Sequence, residues 1–243
     1  MSVIATMDGR NREVRRNVEV IFERIRNACE RVRRDPEGVT VVAVSKRFSL
    51  EDVRLGYQSG IRHFGENRVQ ELVEKVDGWR AAYPDDEVDW HMVGHLQRNK
   101  ARDVIGRCTL FHGLDSHRLA ETLDARAGQA NVTIPCLVQV NVSREASKFG
   151  FEPEEVEEAV RDLLKYENLE VRGLMTLARP VDDPEEVRPE FAKLASLLKR
   201  IQQGCRGDFD ILSMGMSGDF EVAVEEGATH VRVGTAVFGA RPD

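Results

Sequence analysis

The chain has 243 residues, with 35 Lys and Arg against 42 Asp and Glu, and so a formal net charge of −7. This acidic balance argues against a general nucleic-acid or anionic-membrane binder. No apolar stretch approaches the roughly 18 residues of a membrane-spanning helix, and the opening Met1–Asp8 lacks the basic region of a signal peptide. The four cysteines are scattered without a C-x-x-C pair, so we expect neither a zinc ribbon nor a disulfide framework. We therefore expect a reduced, soluble, cytoplasmic protein.

The first predicted element is an amphipathic helix over 11–33, where apolar residues recur every three or four positions. The period then changes, because Thr40–Val44 is a short, continuous, β-branched run. Such a run is typical of a strand that is buried on both faces of a parallel sheet. Strands and helices alternate from there onwards. The other predicted strands cover 61–65, 89–93, 110–113, 134–140, 171–177, 209–214 and 230–233.

The helices between these strands carry start and stop signals. Ser49 and Asp52 have the form of a capping box, and Gly60 ends the helix that they begin. Asp115-Ser116 caps another helix, and Pro153 is predicted at a helix start, where its missing N–H is harmless. Further helices are predicted near 69–76, 96–105, 183–204 and 217–226.

Eight strand-plus-helix steps of roughly 27 residues each predict a (β/α)8 barrel, with a doubly wound open sheet as the alternative. Only nine residues follow Gly234, which is too few for an eighth helix. We therefore expect the N-terminal helix to fill that place in the outer ring. No linker or second domain is evident, and 1–243 is predicted to form a single barrel domain.

The carboxyl ends of barrel strands form the active site, so the residues that follow each apolar run are the candidates. Lys46 follows the first strand. A lysine in that place can attack a carbonyl compound and form a Schiff base. A solvated lysine at a strand end is the alternative interpretation on position alone.

Two loops of small residues are predicted to meet in one corner of the barrel. Ser213–Asp219 follows the seventh strand and puts Ser217 at the start of the next helix, where free N–H groups favour an anion. Arg232–Thr235 ends the eighth strand. Barrels often bind phosphate between these two loops, whereas plain tight turns are the alternative.

Other strand ends carry weaker signals. Asn67 is either a helix cap or a ligand contact, and Met175 is more typical of core packing. His91 and His95 resemble a zinc-binding pattern that lacks its glutamate and a third ligand, so no metal site is predicted. A basic cluster at 98–102 is typical of a solvated helix face. No Walker loop, G-x-G-x-x-G or G-x-S-x-G motif occurs.

Seven motifs together resemble one protein family, in the family's order. They are AVSK (43–46), FGENRVQE (64–71), WHMVGHLQRNK (90–100), SKFGF (147–151), GLMT (173–176), LSMGMS (212–217) and VRVGTAVFG (231–239). The family is that of the pyridoxal phosphate homeostasis proteins, also called the YggS or PROSC family. The resemblance runs from about residue 39 to the end of the sequence.

This resemblance implies a barrel of the alanine racemase N-terminal domain type, with an extra N-terminal helix, and pyridoxal 5′-phosphate (PLP) as cofactor. Lys46 would be the Schiff-base lysine. Arg232 would face the pyridine nitrogen, and because arginine keeps its proton, that nitrogen would stay unprotonated and PLP would be a weaker electron sink.

The resemblance also implies the rest of the site. The phosphate would lie on Ser217, Gly234 and Thr235, with Ser213 and Gly215 shaping that corner. Asn67, His91 and Met175 would line the cofactor pocket.

The family resemblance implies a carrier or buffer of PLP in PLP homeostasis. A racemase needs an acid/base group on each face of its substrate carbon, and alanine racemase takes the second from a separate domain and a partner subunit. The present sequence ends at Asp243, just after the barrel, so we expect no robust turnover. The alternatives are a small PLP-dependent amino-acid racemase or lyase, and a cofactor-free barrel enzyme that acts on a sugar phosphate through Lys46.

The expected partners are PLP and PLP-dependent apoenzymes as recipients, with no nucleic acid and no membrane. We expect a monomer, with a weak dimer as the alternative. Arg47-Phe48-Ser49 departs from the family, which more usually has Thr or Lys and then Pro in this loop. Loop mobility and cofactor exchange are therefore expected to differ. Lys148 and the 98–102 cluster are predicted to be transfer contacts rather than the site of the internal Schiff base.

Overall fold

A closed barrel of eight parallel strands forms the centre of the molecule, within the part of the chain that the structure describes. That part, in the computed structural model, is residues 2–145 and 148–240, with side chains from residue 9 onwards. Each strand pairs with the next one in the sequence, and the last pairs with the first. The strands are β1 (Thr40–Val44), β2 (His63–Glu66), β3 (Asp89–Met92), β4 (Leu110–Leu114), β5 (Ile134–Gln139), β6 (Leu169–Met175), β7 (Ile211–Ser213) and β8 (His230–Val233). The predicted (β/α)8 barrel is confirmed, and the open sheet is excluded.

Helices surround this barrel and bury their apolar faces against it. In the described residues they are α1 (Ser2–Arg31), α2 (Leu50–Gln58), α3 (Val69–Ala82), α4 (Ala101–Val104), α5 (His117–Ala130), α6 (Val156–Leu163), α7 (Arg188–Gly204), α8 (Phe220–Glu225) and α9 (Thr235–Phe238). The same part of the chain contains three short 3₁₀ turns, which are Pro36–Gly38, Arg98–Lys100 and Pro184–Val187. None of the described helices is both long and apolar enough to cross a membrane.

The register of β1 explains why distant loops meet at one rim. On one side Val44 lies opposite Gly65 of β2, and on the other Ala43 lies opposite Val233 of β8. Parallel strands bring their carboxyl ends to the same edge, so the residues that follow these strands become neighbours. The loops that carry Lys46, Asn67 and Gly234 therefore share one end of the barrel.

Helix α1 fills the gap in the outer ring, as expected. It packs against α2, α8 and α9 through a buried apolar face. Arg10 donates to the carbonyl of Phe238 at 2.7 Å, and Asn17 donates to that of Val237 at 3.0 Å. The helix begins at Ser2 rather than at 11, and it ends at Arg31 before the left-handed backbone of Arg33 (φ 55°).

Several predicted helix starts are wrong in detail. Pro153 precedes α6 by a turn rather than opening it, because Phe151 still bridges to Val140 of the barrel. Ser217 lies in a turn ahead of α8, whose N-cap is Asp219. The predicted helix at 96–105 is a 3₁₀ turn followed by the single turn α4. Ser147, the first residue of the SKFGF motif, lies outside the described residues.

Candidate functional site

A cavity of about 400 Å³ opens at the carboxyl ends of the strands. This volume is within the range of small-molecule sites. Six of the ten predicted site residues line it. They are Lys46, Asn67, Ser217, Arg232, Gly234 and Thr235.

A buried ion pair supports the two loops that carry Lys46 and Asn67. The Nζ of Lys75, on α3, donates to Glu66 Oε1 at 2.5 Å and to the carbonyl of Ser45 at 2.6 Å. The hydroxyl of Ser45 also donates to Glu66 Oε1, at 2.6 Å. Because Ser45 and Glu66 immediately precede Lys46 and Asn67, this network holds the ends of β1 and β2 together. Burial raises the pKa of Glu66 above its usual range, although Lys75 and Ser45 act in the other direction.

Asn67 is held by a close approach of two backbones. A Cβ atom at Gly94 would lie 2.2 Å from the carbonyl oxygen of Asn67, so only glycine allows the loop after β3 to pass there. The N-cap position of α3 belongs to Arg68. The helix-cap interpretation of Asn67 is therefore wrong, and the side chain lines the cavity instead.

The two small-residue loops meet as the sequence predicts. Ser217 Oγ accepts from the backbone N–H groups of Gly234 and Ala236, both at 3.3 Å, and so links the β7 loop to the start of α9. Gly215 has a φ of +89°, and a Cβ there would lie 2.5 Å from the Cβ of Ala223. Gly215 thus shapes the loop from behind rather than lining the cavity.

Arg232 brings a buried positive charge to the cavity wall. It is 4 % exposed, and its guanidinium donates to Ser213 Oγ and, at 2.7 Å, to the carbonyl of Thr176. Burial lowers the pKa of Arg232 to about 10, against an opposing effect of Asp219. The group is thus charged at neutral pH, while the two acceptors that hold it are neutral.

Four predicted site residues lie outside the cavity lining: His91, Met175, Ser213 and Gly215. Met175 is fully buried and packs on Leu110 and Leu137 in the barrel interior. His91 is also interior, 3.1 Å from the ring of His63 and 2.9 Å from that of His112. His95 instead lines the cavity, and among the described residues no group of three or more His, Cys, Asp or Glu side chains is arranged so that it could hold a metal ion.

His95 and Phe149 form a wall of the cavity that the sequence interpretation missed. Their rings are stacked, with centroids 3.8 Å apart and planes 10° apart. The Nδ1 of His95 lies 2.7 Å from Asp115 Oδ2. Gln139, the last residue of β5, donates to the carbonyl of Phe149 at 2.9 Å. The available signal was position at a strand end: His95 follows β3, and Gln139 is the last residue of β5.

The loop that departs from the family pattern is packed against the rest of the site. Arg47 has a φ of 66°, and its N–H donates to Glu71 at 2.7 Å. Phe48 lines the cavity, and its ring lies 4.9 Å from that of Phe238.

Comparison with known proteins agrees with this geometry. The family model for the alanine racemase N-terminal domain matches residues 17–242. A pyridoxal phosphate homeostasis protein of Aquifex aeolicus is 42 % identical over 221 residues, which are 91 % of this chain and 95 % of the relative. The chain belongs to the pyridoxal phosphate homeostasis protein family.

Solved structures of similar proteins show the same barrel as this family member. A protein from Bifidobacterium adolescentis has a TM-score of 0.90 at 32 % identity, with 95 % of this chain and 96 % of that chain covered. PipY of Synechococcus elongatus, solved with PLP bound, has a TM-score of 0.77 at 34 % identity, with 88 % and 100 % covered.

Proposed function

We propose that this chain binds PLP in the cavity at the carboxyl ends of the strands, and carries or buffers it in PLP homeostasis. One observation supports the proposal above the others. Lys46, the buried Arg232 and the small-residue corner of Ser217, Gly218, Gly234 and Thr235 line the same cavity of about 400 Å³. The relatives' name and the PLP-bound PipY structure agree with it.

These residues fit the three chemical parts of PLP. An aldehyde requires an amine, which Lys46 offers. A phosphate requires hydrogen-bond donors, and the hydroxyl-bearing Ser217 and Thr235, with the backbone of Gly218, line this corner of the cavity. A pyridine nitrogen is a neutral acceptor, and Arg232 is a donor of matching kind.

When bound, PLP supplies an aldehyde that condenses with amines and a ring that withdraws electrons. Lys46 would hold the aldehyde carbon covalently, with its position set by Ser45 and the ion pair beneath it. Arg232 would donate to the ring nitrogen and leave it unprotonated, since arginine does not release its proton. An unprotonated ring nitrogen makes the PLP ring a weaker electron acceptor. This property suits a protein that stores PLP better than one that catalyses reactions with it.

The remaining predicted residues take different places in this proposal. Asn67 would contact the ring from the cavity wall. His91, Met175 and Ser213 lie beneath the wall, and Gly215 behind it, so they would shape the pocket rather than touch PLP. The proposed recipients are PLP-dependent apoenzymes.

The first test is an absorbance spectrum of the purified protein before and after borohydride reduction, followed by peptide mapping. We expect a yellow band that reduction fixes onto Lys46. Lys46→Ala should abolish the band, whereas Lys100→Ala, near the cavity rim, should keep it. A protein that remains colourless after PLP is added would overturn the proposal.

A second candidate function is a small PLP-dependent amino-acid racemase or lyase. The observation that favours it is the His95–Asp115 pair on the cavity wall, at 2.7 Å. A carboxylate bonded to Nδ1 orients an imidazole so that Nε2 can accept or donate a proton. His95, rather than the buried His91, would then be the second acid/base group.

Exchange of the α-hydrogen of alanine or serine in deuterated buffer separates the two functions. The carrier should show no more exchange than free PLP. Exchange that is faster, and is lost in both Lys46→Ala and His95→Gln, would establish an enzyme instead.

A further inference from the structure

A line of hydrogen-bonded rings runs through the barrel beneath Arg232. His112 Nδ1 lies 2.9 Å from Ser213 Oγ, His91 Nδ1 lies 2.9 Å from His112 Nε2, and His63 Nδ1 lies 3.1 Å from His91 Nε2. We call these three histidines the histidine chain. It begins at β2, crosses β3 and β4, and reaches β7 and β8 through Ser213 and Arg232.

Burial favours the neutral form of each ring in the histidine chain. His91 and His112 are 2 % and 0 % exposed, and burial lowers the pKa of each well below the usual range. Burial also lowers the pKa of His63, whose ring is 32 % exposed and lies near Asp89. Each neutral ring has one N–H donor and one bare nitrogen acceptor.

Arg232 determines which group donates and which accepts in each hydrogen bond of the histidine chain. A guanidinium only donates, so Ser213 Oγ accepts from it and keeps its own hydrogen to donate. His112 Nδ1 lies within hydrogen-bond distance to receive that hydrogen. If His112 donated instead, the hydroxyl hydrogen of Ser213 would be left buried without this acceptor, which is unfavourable.

The direction then passes from ring to ring. Because Nδ1 of His112 accepts, its Nε2 carries the hydrogen and donates to His91. His91 donates from Nε2 to His63 in the same way. The arrangement therefore assigns the Nε2–H tautomer to all three rings.

We propose that His112 and His91 are positioning residues for Arg232: they hold Ser213 Oγ as the acceptor that fixes the guanidinium at the cavity wall. The assigned tautomers are a property of the protein without ligand. Only the final step, from Arg232 to the ring nitrogen of PLP, rests on the proposed function.

Nitrogen-15 NMR of the histidine rings without PLP tests the direction. We expect His112 and His91 to be neutral at pH 7 with hydrogen on Nε2. Hydrogen on Nδ1 of His112, or an imidazolium at either ring, would overturn the proposal even if PLP binds as proposed.

Binding of PLP to variants tests the positioning role. His112→Leu removes the acceptor of Ser213 and should raise the Kd for PLP about tenfold, the equivalent of one hydrogen bond. His112→Asn keeps an acceptor near the Nδ1 position and should restore most of the affinity. His230→Asn is the matched control, because His230 is half-buried beside the same rings but bonds to Thr229 instead.

A double-mutant cycle separates positioning from general damage. If His112 acts through Arg232, His112→Leu should have no further effect on Kd in an Arg232→Met background. An undiminished tenfold effect there would contradict the proposal. If the wild-type protein binds no PLP, the proposed function fails, while the NMR result still decides the direction of the histidine chain.

Discussion

Two buried polar networks support the cavity, and they differ in charge and in reach. Beneath Lys46, the Glu66–Lys75 pair is ionic and joins neighbouring elements of the fold, β1, β2 and α3. Beneath Arg232, the histidine chain is neutral and connects residues up to 101 positions apart in the sequence. The first network depends on a pair of opposite charges. The second depends on each ring carrying its single hydrogen on Nε2.

The difference teaches how each network would fail. A buried ion pair is strongly destabilised when one partner is lost, since the other remains charged and without its counter-ion. A neutral chain instead fails when a ring gains a proton, because two donors then face each other. The Glu66–Lys75 network should therefore be most sensitive to substitution, and the histidine chain should be most sensitive to acid.

The largest expected effect is that of Lys75→Met. This change leaves the carboxylate of Glu66, which is fully buried, without its cation, and should lower the free energy of unfolding by about 3–5 kcal/mol. Urea denaturation at pH 7.5 measures it. Adding Glu66→Gln in the same chain should recover part of the loss. A loss below about 1 kcal/mol would show that the ion pair contributes little.

The two networks should respond to pH with opposite signs. The folded-state pKa values of His91, His112 and His230 are lowered by burial, that of His230 to about 4. The unfolded chain therefore takes up protons first as the pH falls below about 6.5, and each ring costs about 1.4 kcal/mol of stability per pH unit. The charged groups that face these rings are Arg232, Asp210 and Arg172, together with His63.

Glu66 opposes this trend, because its folded-state pKa is raised and stability falls as the pH rises above the unfolded value of about 4.3. Urea unfolding between pH 5 and pH 7.5 tests both signs. His112→Leu should make the acid loss shallower, whereas Glu66→Gln should make it steeper. If the free energy of unfolding depended on pH in the same way in both variants, the opposite signs assigned to the two networks would be wrong.

A smaller effect is expected from Ser45→Ala. The variant removes a hydroxyl that donates to the buried carboxylate at 2.6 Å, and hydrogen bonds to charged groups contribute about 1.5–3 kcal/mol. Ser59→Ala is the matched control, since that hydroxyl donates to the neutral carbonyl of Leu55 near the surface. Thermal denaturation should rank Ser45→Ala as the more destabilising variant, and the reverse order would argue against a charged Glu66.

The smallest effect is expected at the surface. Lys165 and Asp162 form an exposed pair at 2.6 Å, and water and salt screen such pairs. Asp162→Asn should leave the Tm unchanged within error. A clear decrease in Tm would mean that burial does not explain why the Glu66–Lys75 pair contributes more to stability than the exposed pair.

Two of the elements that the sequence predicts best are neighbouring strands of the barrel. Thr40–Val44 and His230–Val233 match the structure to the residue. A continuous, mostly β-branched run such as Thr40–Val44, flanked by polar or small residues, has little alternative to a buried strand. The Ser49–Asp52 capping box is also present as predicted. Its signal lies entirely within four consecutive residues.

The predictions that fail depend on contacts distant in sequence. Pro153 has the local character of a helix start, but the bridge between Phe151 and Val140 delays the helix to Val156. In the candidate site, strand-end position found Lys46 and Arg232. The histidine chain has no such signal, because its contacts join residues 21 to 101 positions apart without periodicity. The role of each residue towards PLP remains a prediction.

The packing of helix α1 has a consequence for how the molecule folds. Its bonds to Phe238 and Val237 join residues 228 and 220 positions apart, and it precedes every strand of the barrel. Closing so long a loop has a large entropic cost, and contacts of high sequence separation slow refolding. During synthesis on a ribosome, α1 and α2 emerge before most of the strands, whereas the contacts of α1 with α8 and α9 can form only after those helices have followed. Helix α1 precedes every strand and yet is among the last elements to complete its packing.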